Sequence, residues 1–295
     1  MLSRPLPFNH ARYFRQRVHQ IFLSRKTNSP YLSCDSFASL ADYYAYGKSG
    51  SDQLSLRRLK KARVIFVAGH NLKRLLDENF QDINASVIIC GNSDENFDTP
   101  VSFPATVRLW LCQNNSMPND NFKKTIPIGL ENIRLARAGF PKDYSNLNRN
   151  LIVDKIAIPP MSATNQIRYI VVEEALKQPL LFDVYRDYLP NNEYIEFFRD
   201  YLFMFSCEGN GYENHRVWET LYRGSFPVML DSPWARTLLD LNLPILITKQ
   251  ISDLSPAVLA KHSEKWQHFD PKSCQELWIP FWENLIKETI KSVSK

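Results

Sequence analysis

The stretch from Tyr201 to Leu230, YLFMFSCEGNGYENHRVWETLYRGSFPVML, constrains the fold more than any other part of the chain. An apolar run, Tyr201 to Cys207, predicts a buried strand that breaks at Glu208-Gly209-Asn210-Gly211. Helical spacing follows from about Asn214 to Arg223, Gly224 ends it, and Phe226-Pro227-Val228-Met229-Leu230 predicts a second buried strand. Strand, glycine loop, helix and strand make a βαβ unit, whose crossover is almost always right-handed. The loop then lies at the carboxyl end of the first strand, where open α/β sheets bind ligands. The helix start offers unpaired N–H groups and a partial positive charge, which suit phosphate. His215 and Arg216 fall in that first turn, where a cation opposes the dipole unless an anion sits opposite.

Upstream, strands are predicted at Arg63–Ala68, Ser86–Cys90, Thr106–Cys112 and Thr125–Leu130, each ending in polar or glycine-containing residues. A helix is predicted over Leu72–Phe80. The intervals before Val107 and Ile126 are rich in Pro, Asn and Asp and read as loop crossovers. Residues 30–60, with Gly47, Ser49, Gly50 and Ser51, read as a loop. The polar segment Pro141 to Asn150 has the composition of a linker. Beyond it, Asp154–Ile158 begins a second α/β unit, with a helix over Gln166–Lys177 and a late strand at Ile245–Ile247. Leu277, Phe281, Leu285, Ile286 and Ile290 form one helical face in the tail. The expected division is an amino-terminal α/β domain over 1–148, a second α/β domain over 149–262 and a helical tail over 263–295.

A length of 295 residues suffices for two small domains, and 44% hydrophobic content excludes a disordered chain. The net charge of +5 is too mild and too scattered to point to nucleic acid. Part of the excess sits in Arg4, Arg12, Arg15, Arg17, Arg25 and Lys26. Two readings of that segment are open: an amphipathic helix touching an anionic membrane surface, or a helix packed on the body by Phe8, Phe14, Ile21 and Phe22. The five cysteines, Cys34, Cys90, Cys112, Cys207 and Cys274, are widely spaced, and three lie in apolar runs. They read as buried free thiols of a reducing compartment. No apolar stretch is long enough for a membrane helix and no signal-peptide pattern is evident, so a cytoplasmic protein, peripheral to the membrane at most, is expected.

The pattern Gly209-x-Gly211, then Arg216-x-x-Glu219, then Gly224-x-x-Pro227-Val228 resembles the nucleotide-sugar-binding half of the exostosin-like glycosyltransferases. Fucosyltransferase-type enzymes carry a looser version. The likeness is strong from Tyr201 to Leu230, weaker from Ile156 to Leu254, and does not reach the amino-terminal half. It implies a GT-B architecture: two Rossmann-like α/β domains facing a cleft, donor on the carboxyl-terminal one, acceptor on the amino-terminal one, and a last helix closing back. It further implies transfer of a sugar from a UDP- or GDP-sugar to a glycan, lipid or polysaccharide acceptor.

Within that resemblance Arg216 is the candidate diphosphate ligand, its guanidinium being a fixed fork for phosphate oxygens. A salt bridge to Glu213 or Glu219 is the structural alternative. Glu219, one turn on, is the candidate for the ribose hydroxyls. Gly209, Asn210 and Gly211 would let the backbone approach the donor, and Glu208 is a candidate sugar contact. Arg168, after the polar loop Ser162-Ala163-Thr164-Asn165, is a second candidate diphosphate ligand. Tyr185 and Tyr188 offer rings for base stacking, with core packing as the alternative. The general base of an inverting reaction should come from an amino-terminal strand end, where His70, Asp94 and Glu131 are candidates. No Asp-x-Asp occurs, so neither a metal nor another cofactor is expected. Two other readings remain: an inactive glycan- or protein-binding relative, and a different nucleotide-using α/β enzyme, against which the missing Gly-x-Gly-x-x-Gly after Val64–Ala68 counts.

Overall fold

The computed structural model describes residues 26–48, 50–135 and 138–293. Arg4, Arg12, Arg15, Arg17 and Arg25 of the basic segment lie outside the described residues.

The first half builds α1 (Cys34–Ala38), β1 (Tyr43–Ala45), α2 (Leu56–Lys61), β2 (Val64–Ala68), α3 (Gly69–Asn79), β3 (Val87–Gly91), β4 (Leu109–Cys112) and β5 (Lys123–Thr125). The five strands are parallel and lie in sequence order, β1-β2-β3-β4-β5. Crossovers of one hand in a sequential sheet fall on one face. Accordingly α2 and α3 bring Leu59, Leu72 and Leu75 onto the face made by Ile65, Val67, Ile88 and Trp110. The opposite face, with Val64, Phe66, Val87, Ile89, Leu109 and Leu111, is equally buried and needs cover from elsewhere in the chain. Sequential order also means that this sheet has no switch point, which differs from the Rossmann-like arrangement expected.

The second half builds β6 (Ile152–Ile158), α4 (Gln166–Leu176), β7 (Phe182–Val184), α5 (Asn191–Phe197), β8 (Tyr201–Phe205), α6 (His215–Tyr222), β9 (Phe226–Leu230), α7 (Pro233–Thr237) and β10 (Leu246–Thr248). Its strands are also parallel, in the order β7-β6-β8-β9-β10. The winding direction reverses between β6 and β8, which is the switch point of a doubly wound sheet. Two helices follow, α8 (Pro256–Lys265) and α9 (Ile279–Val293).

The uncovered face of the first sheet is closed by this second half. Val217, Trp218 and Leu221 of α6, Trp234 of α7, and Ile279, Trp282 and Ile286 of α9 share one core with it. The Trp282 ring stands 5.7 Å from Phe37 of α1, edge to face. The last helix therefore does close back, and its core runs across the division expected at residue 148.

Two local expectations are corrected. The fourth strand is Lys123–Thr125 rather than Thr125–Leu130. Pro127 lacks an N–H for the ladder, and Gly129 turns left-handed at φ 66°, where a Cβ would strike the Leu32 carbonyl. Residues 30–60 carry α1, β1 and α2 rather than a plain loop. The segment Pro141–Asn150 lies between the strands of the two sheets, and it is anchored: Tyr144 is buried, Asn148 N–H donates to the Arg223 carbonyl at 2.8 Å, and Asn148 Nδ2 donates to Ser225 Oγ at 2.8 Å. All five cysteines are free thiols, and four are buried. Among the described residues no helix is long and apolar enough to cross a membrane.

Candidate active site

Two loops leave the carboxyl ends of β6 and β8, the strands that flank the switch point, and each runs straight into a helix. Asn165 caps α4, accepting the Ile167 N–H at 3.0 Å, and Asn214 caps α6, accepting the Arg216 N–H at 3.0 Å. Each cap also ties its helix to the glycine loop. Asn165 Nδ2 donates to the Gly209 carbonyl at 3.2 Å, and Asn214 Nδ2 to the Cys207 carbonyl at 2.7 Å. Two positive helix ends thus flank one loop, and neither first turn holds an acidic residue.

Instead, each first turn holds an arginine. Arg168 is 8% exposed; its Nε donates to the Glu208 carbonyl at 2.7 Å and its Nη1 to the Ser162 carbonyl at 3.0 Å. Arg216 is half-buried; its Nε donates to the Tyr194 hydroxyl at 3.1 Å and its Nη2 to the Pro160 carbonyl at 3.0 Å. Burial first, and then the neighbouring Arg216 cation, lower the Arg168 pKa. Neither guanidinium forms an ion pair among the described residues, so the salt bridge from Arg216 to Glu213 or Glu219 is not formed. Carbonyl and hydroxyl partners orient the two forks without neutralising them. The result is two oriented guanidiniums near each other beside the glycine loop, with the Glu219 carboxylate acting on Arg216 from one turn away, a donor set that suits phosphate oxygens.

The two neighbouring carboxylates differ. Glu219 lies half-buried one turn beyond Arg216, with no hydrogen bond or ion pair among the described residues. Burial raises the Glu208 pKa, opposed by a hydrogen bond with Ser232. Tyr185 takes the core-packing alternative: its ring is packed edge-on against Phe197 and Phe198 at 4.7 and 5.2 Å, and its hydroxyl lies 2.6 Å from that of Tyr201. Tyr188 is exposed.

The carboxyl ends of the first sheet meet the glycine loop directly. Asn210 Nδ2 donates to Asp94 Oδ2 at 3.2 Å, the Tyr212 N–H to Asn96 Oδ1 at 3.1 Å, and the Glu213 N–H to Asn114 Oδ1 at 2.8 Å. His215 Nδ1 lies 2.8 Å from the Gly129 carbonyl, so this ring bridges the halves rather than facing an anion. Asn92 and Asn114 occupy the same place after β3 and β4, both left-handed at φ 53°, a conformation uncommon outside glycine that Asn tolerates best. Of the three candidate bases, Asp94 faces the glycine loop. His70 is exposed at the end of β2, its N–H donating to Ser93 Oγ at 3.2 Å, on the same edge as Asp94. Glu131 is engaged by its own loop: its Oε2 accepts the Ala138 N–H at 3.1 Å. Among the described residues no three His, Cys, Asp or Glu side chains gather to hold a metal ion.

Sequence reasoning missed Tyr194, Asn96 and Asn114. All three act through partners far along the chain, and no local pattern marks them.

No protein-family model matches this sequence, and no curated protein matches it. Among solved structures the chain is similar to TarM, at 13% identity over 76% of its own length and a TM-score of 0.36. It spans about half, 54%, of the TarM chain. It is also similar to CalG4, the calicheamicin glycosyltransferase, at 10% identity over 79% of this chain and 73% of that one, with a TM-score of 0.32. Likeness at this level leaves the site's own geometry as the basis for assigning a function.

Proposed function

We propose that this chain is a metal-independent glycosyltransferase of GT-B type, with similarity to the exostosin-like enzymes, that moves a sugar from a UDP- or GDP-sugar to a glycan, lipid or polysaccharide acceptor. The observation that carries the reading is the pair Arg168 and Arg216: two oriented guanidiniums, in no ion pair among the described residues, in the first turns of two helices at a sheet's switch point. A departing nucleoside diphosphate develops negative charge as the anomeric C–O bond breaks, and preorganised cations and helix amides stabilise that charge. Glu219, half-buried and one turn from Arg216, is suited to accept hydrogen bonds from the ribose hydroxyls. Glu208, at the loop's entry, is suited to a sugar hydroxyl. In an inverting reaction Asp94 or His70 takes the acceptor proton as the acceptor oxygen bonds to the anomeric carbon. The bonding pair of the broken C–O bond passes to the diphosphate. Asp94 is the nearer to the glycine loop.

Release of nucleoside diphosphate from a panel of UDP- and GDP-sugars tests the reading. Turnover with one base is expected. Arg168→Ala and Arg216→Ala should each lower kcat by about 10²–10³-fold, the usual loss when one transition-state charge contact is removed. Release that is unaffected by either substitution would contradict the proposal.

A further inference from the structure

Glu213 is 5% exposed and stands at the junction of the two halves, between the glycine loop and the cap of α6. Its Oε1 accepts two N–H groups, from Ile128 at 2.7 Å and from Trp218 Nε1 at 2.8 Å. Ile128 belongs to the segment after β5 in the first half, whereas Trp218 lies on α6 in the second. The Glu213 N–H completes the junction by donating to Asn114 Oδ1 at 2.8 Å. One residue therefore joins the first sheet's carboxyl edge at two points to the helix that carries Arg216 and Glu219. Its second oxygen, Oε2, is buried with no partner. No cation among the described residues forms an ion pair with it, so nothing offsets the charge of an ionised form.

We propose that Glu213 is a positioning residue that sets where the Gly209–Gly211 loop and Arg216 stand against the first sheet, and that it does so as the neutral acid. The first clause follows from the three hydrogen bonds. The second follows from the bare, buried oxygen: an ionised carboxylate there would be left without compensating charge, at a large desolvation penalty. Burial pushes the Glu213 pKa up to about 8, partly offset by the Ile128, Trp218 and Asn114 hydrogen bonds. The titratable groups that face it from neighbouring elements are the thiols of Cys34 on α1 and Cys112 on β4, both held protonated by burial; His215 follows two residues on, at the start of α6. The folded-state pKa lies above the ordinary glutamate value of 4.5, so the folded chain binds the extra proton between the two values. The contribution of Glu213 to stability is then fully present below the ordinary value and is lost as pH rises through about 8.

Placing Arg216 matters for donor binding only if the function proposed above holds, so the experiment reads positioning and binding separately. Hydrogen exchange on the full chain is compared for wild type, Glu213→Gln and Glu213→Ala at about pH 6, with exchange rates corrected for pH, and again at about pH 9. In wild type, protection of residues 126–130 and 209–217 should drop at the higher pH. Glu213→Gln keeps a neutral acceptor for both N–H groups and should hold that protection at both pH values. Glu213→Ala should lose it at both, while β3 stays protected. In parallel, UDP and GDP affinities should weaken about tenfold in Glu213→Ala and recover in Glu213→Gln, a change of about 1.4 kcal/mol. A pH response that survives in Glu213→Gln, or unchanged exchange in Glu213→Ala, would overturn the inference. Absence of nucleotide binding by wild type would count against the donor reading alone, because the exchange pattern still decides the positioning role.

Discussion

Gly211 has no room for a side chain: a Cβ there would stand 2.8 Å from Asn114 Nδ2. On its Cβ side Gly211 admits Asn114 from the carboxyl edge of the first sheet. Asn114 is fixed in turn, its Nδ2 donating to the Ser93 carbonyl at 3.0 Å while its Oδ1 accepts the Glu213 N–H. Gly211→Ala should therefore destabilise the fold by about 1–3 kcal/mol through overpacking. Adding Asn114→Ala should recover part of the loss, so a double-mutant cycle in denaturant should give a coupling of about 0.5 kcal/mol or more. Strict additivity would show that the two residues do not meet. Gly209 is different: a Cβ there would have only one side chain close by, that of Arg168, with Nη2 at 3.2 Å. Arg216, Glu219 and Arg168 were legible because each sits in a helix directly after a recognisable strand and loop. Asn114 was not, because its meaning depends on a hydrogen bond to a residue 99 positions away.

At the scale of elements, α6 governs the site and its start is the sensitive point. Asn214 satisfies the Arg216 N–H and pins the Cys207 carbonyl, so it fixes both the helix end and the exit of β8. Asn214→Ala should cost about 0.5–2 kcal/mol in urea unfolding, the usual range for a lost cap. Asn214→Ser should cost less, since a hydroxyl oxygen can also accept from the first turn. Equal losses for Ala and Ser would mean that capping is not the residue's role. Long, apolar or amphipathic elements could be read from sequence: β2, β3, β8, β9, α3, α4 and α6 all fall close to their expected places. The three-residue strands β1 and β7 could not: so short a run sets up no period, and neither is an unbroken aliphatic run such as Ile245-Leu246-Ile247, which marks β10. Their place at the sheet edges, settled by pairing with Ile65–Val67 and Ile156–Ile158, is a tertiary fact.

At the scale of the whole molecule, sheet order accounts for the shape of the site. A sequential first sheet leaves one face uncovered, and α6, α7 and α9 cover it, drawing the two carboxyl edges together. The second sheet reverses at β6 and β8, and the amino ends of α4 and α6 flank one loop there. Patterning indicated two parallel α/β layers and a closing helix. It did not indicate strand order, which depends on which edges pair. The central claim is that Arg168 and Arg216 at this reversal bind a nucleoside diphosphate. It is tested most directly by thermal unfolding of the wild type and of Arg168→Ala and Arg216→Ala with UDP, GDP, CDP, ADP and NAD. A ligand at 100 times its Kd stabilises by about 2.7 kcal/mol. At about 2 °C per kcal/mol for a chain of this size, one nucleoside diphosphate should raise the wild-type Tm by about 5 °C and neither variant's by as much. No shift with any diphosphate at saturating concentration, or equal shifts in all three proteins, would contradict the account.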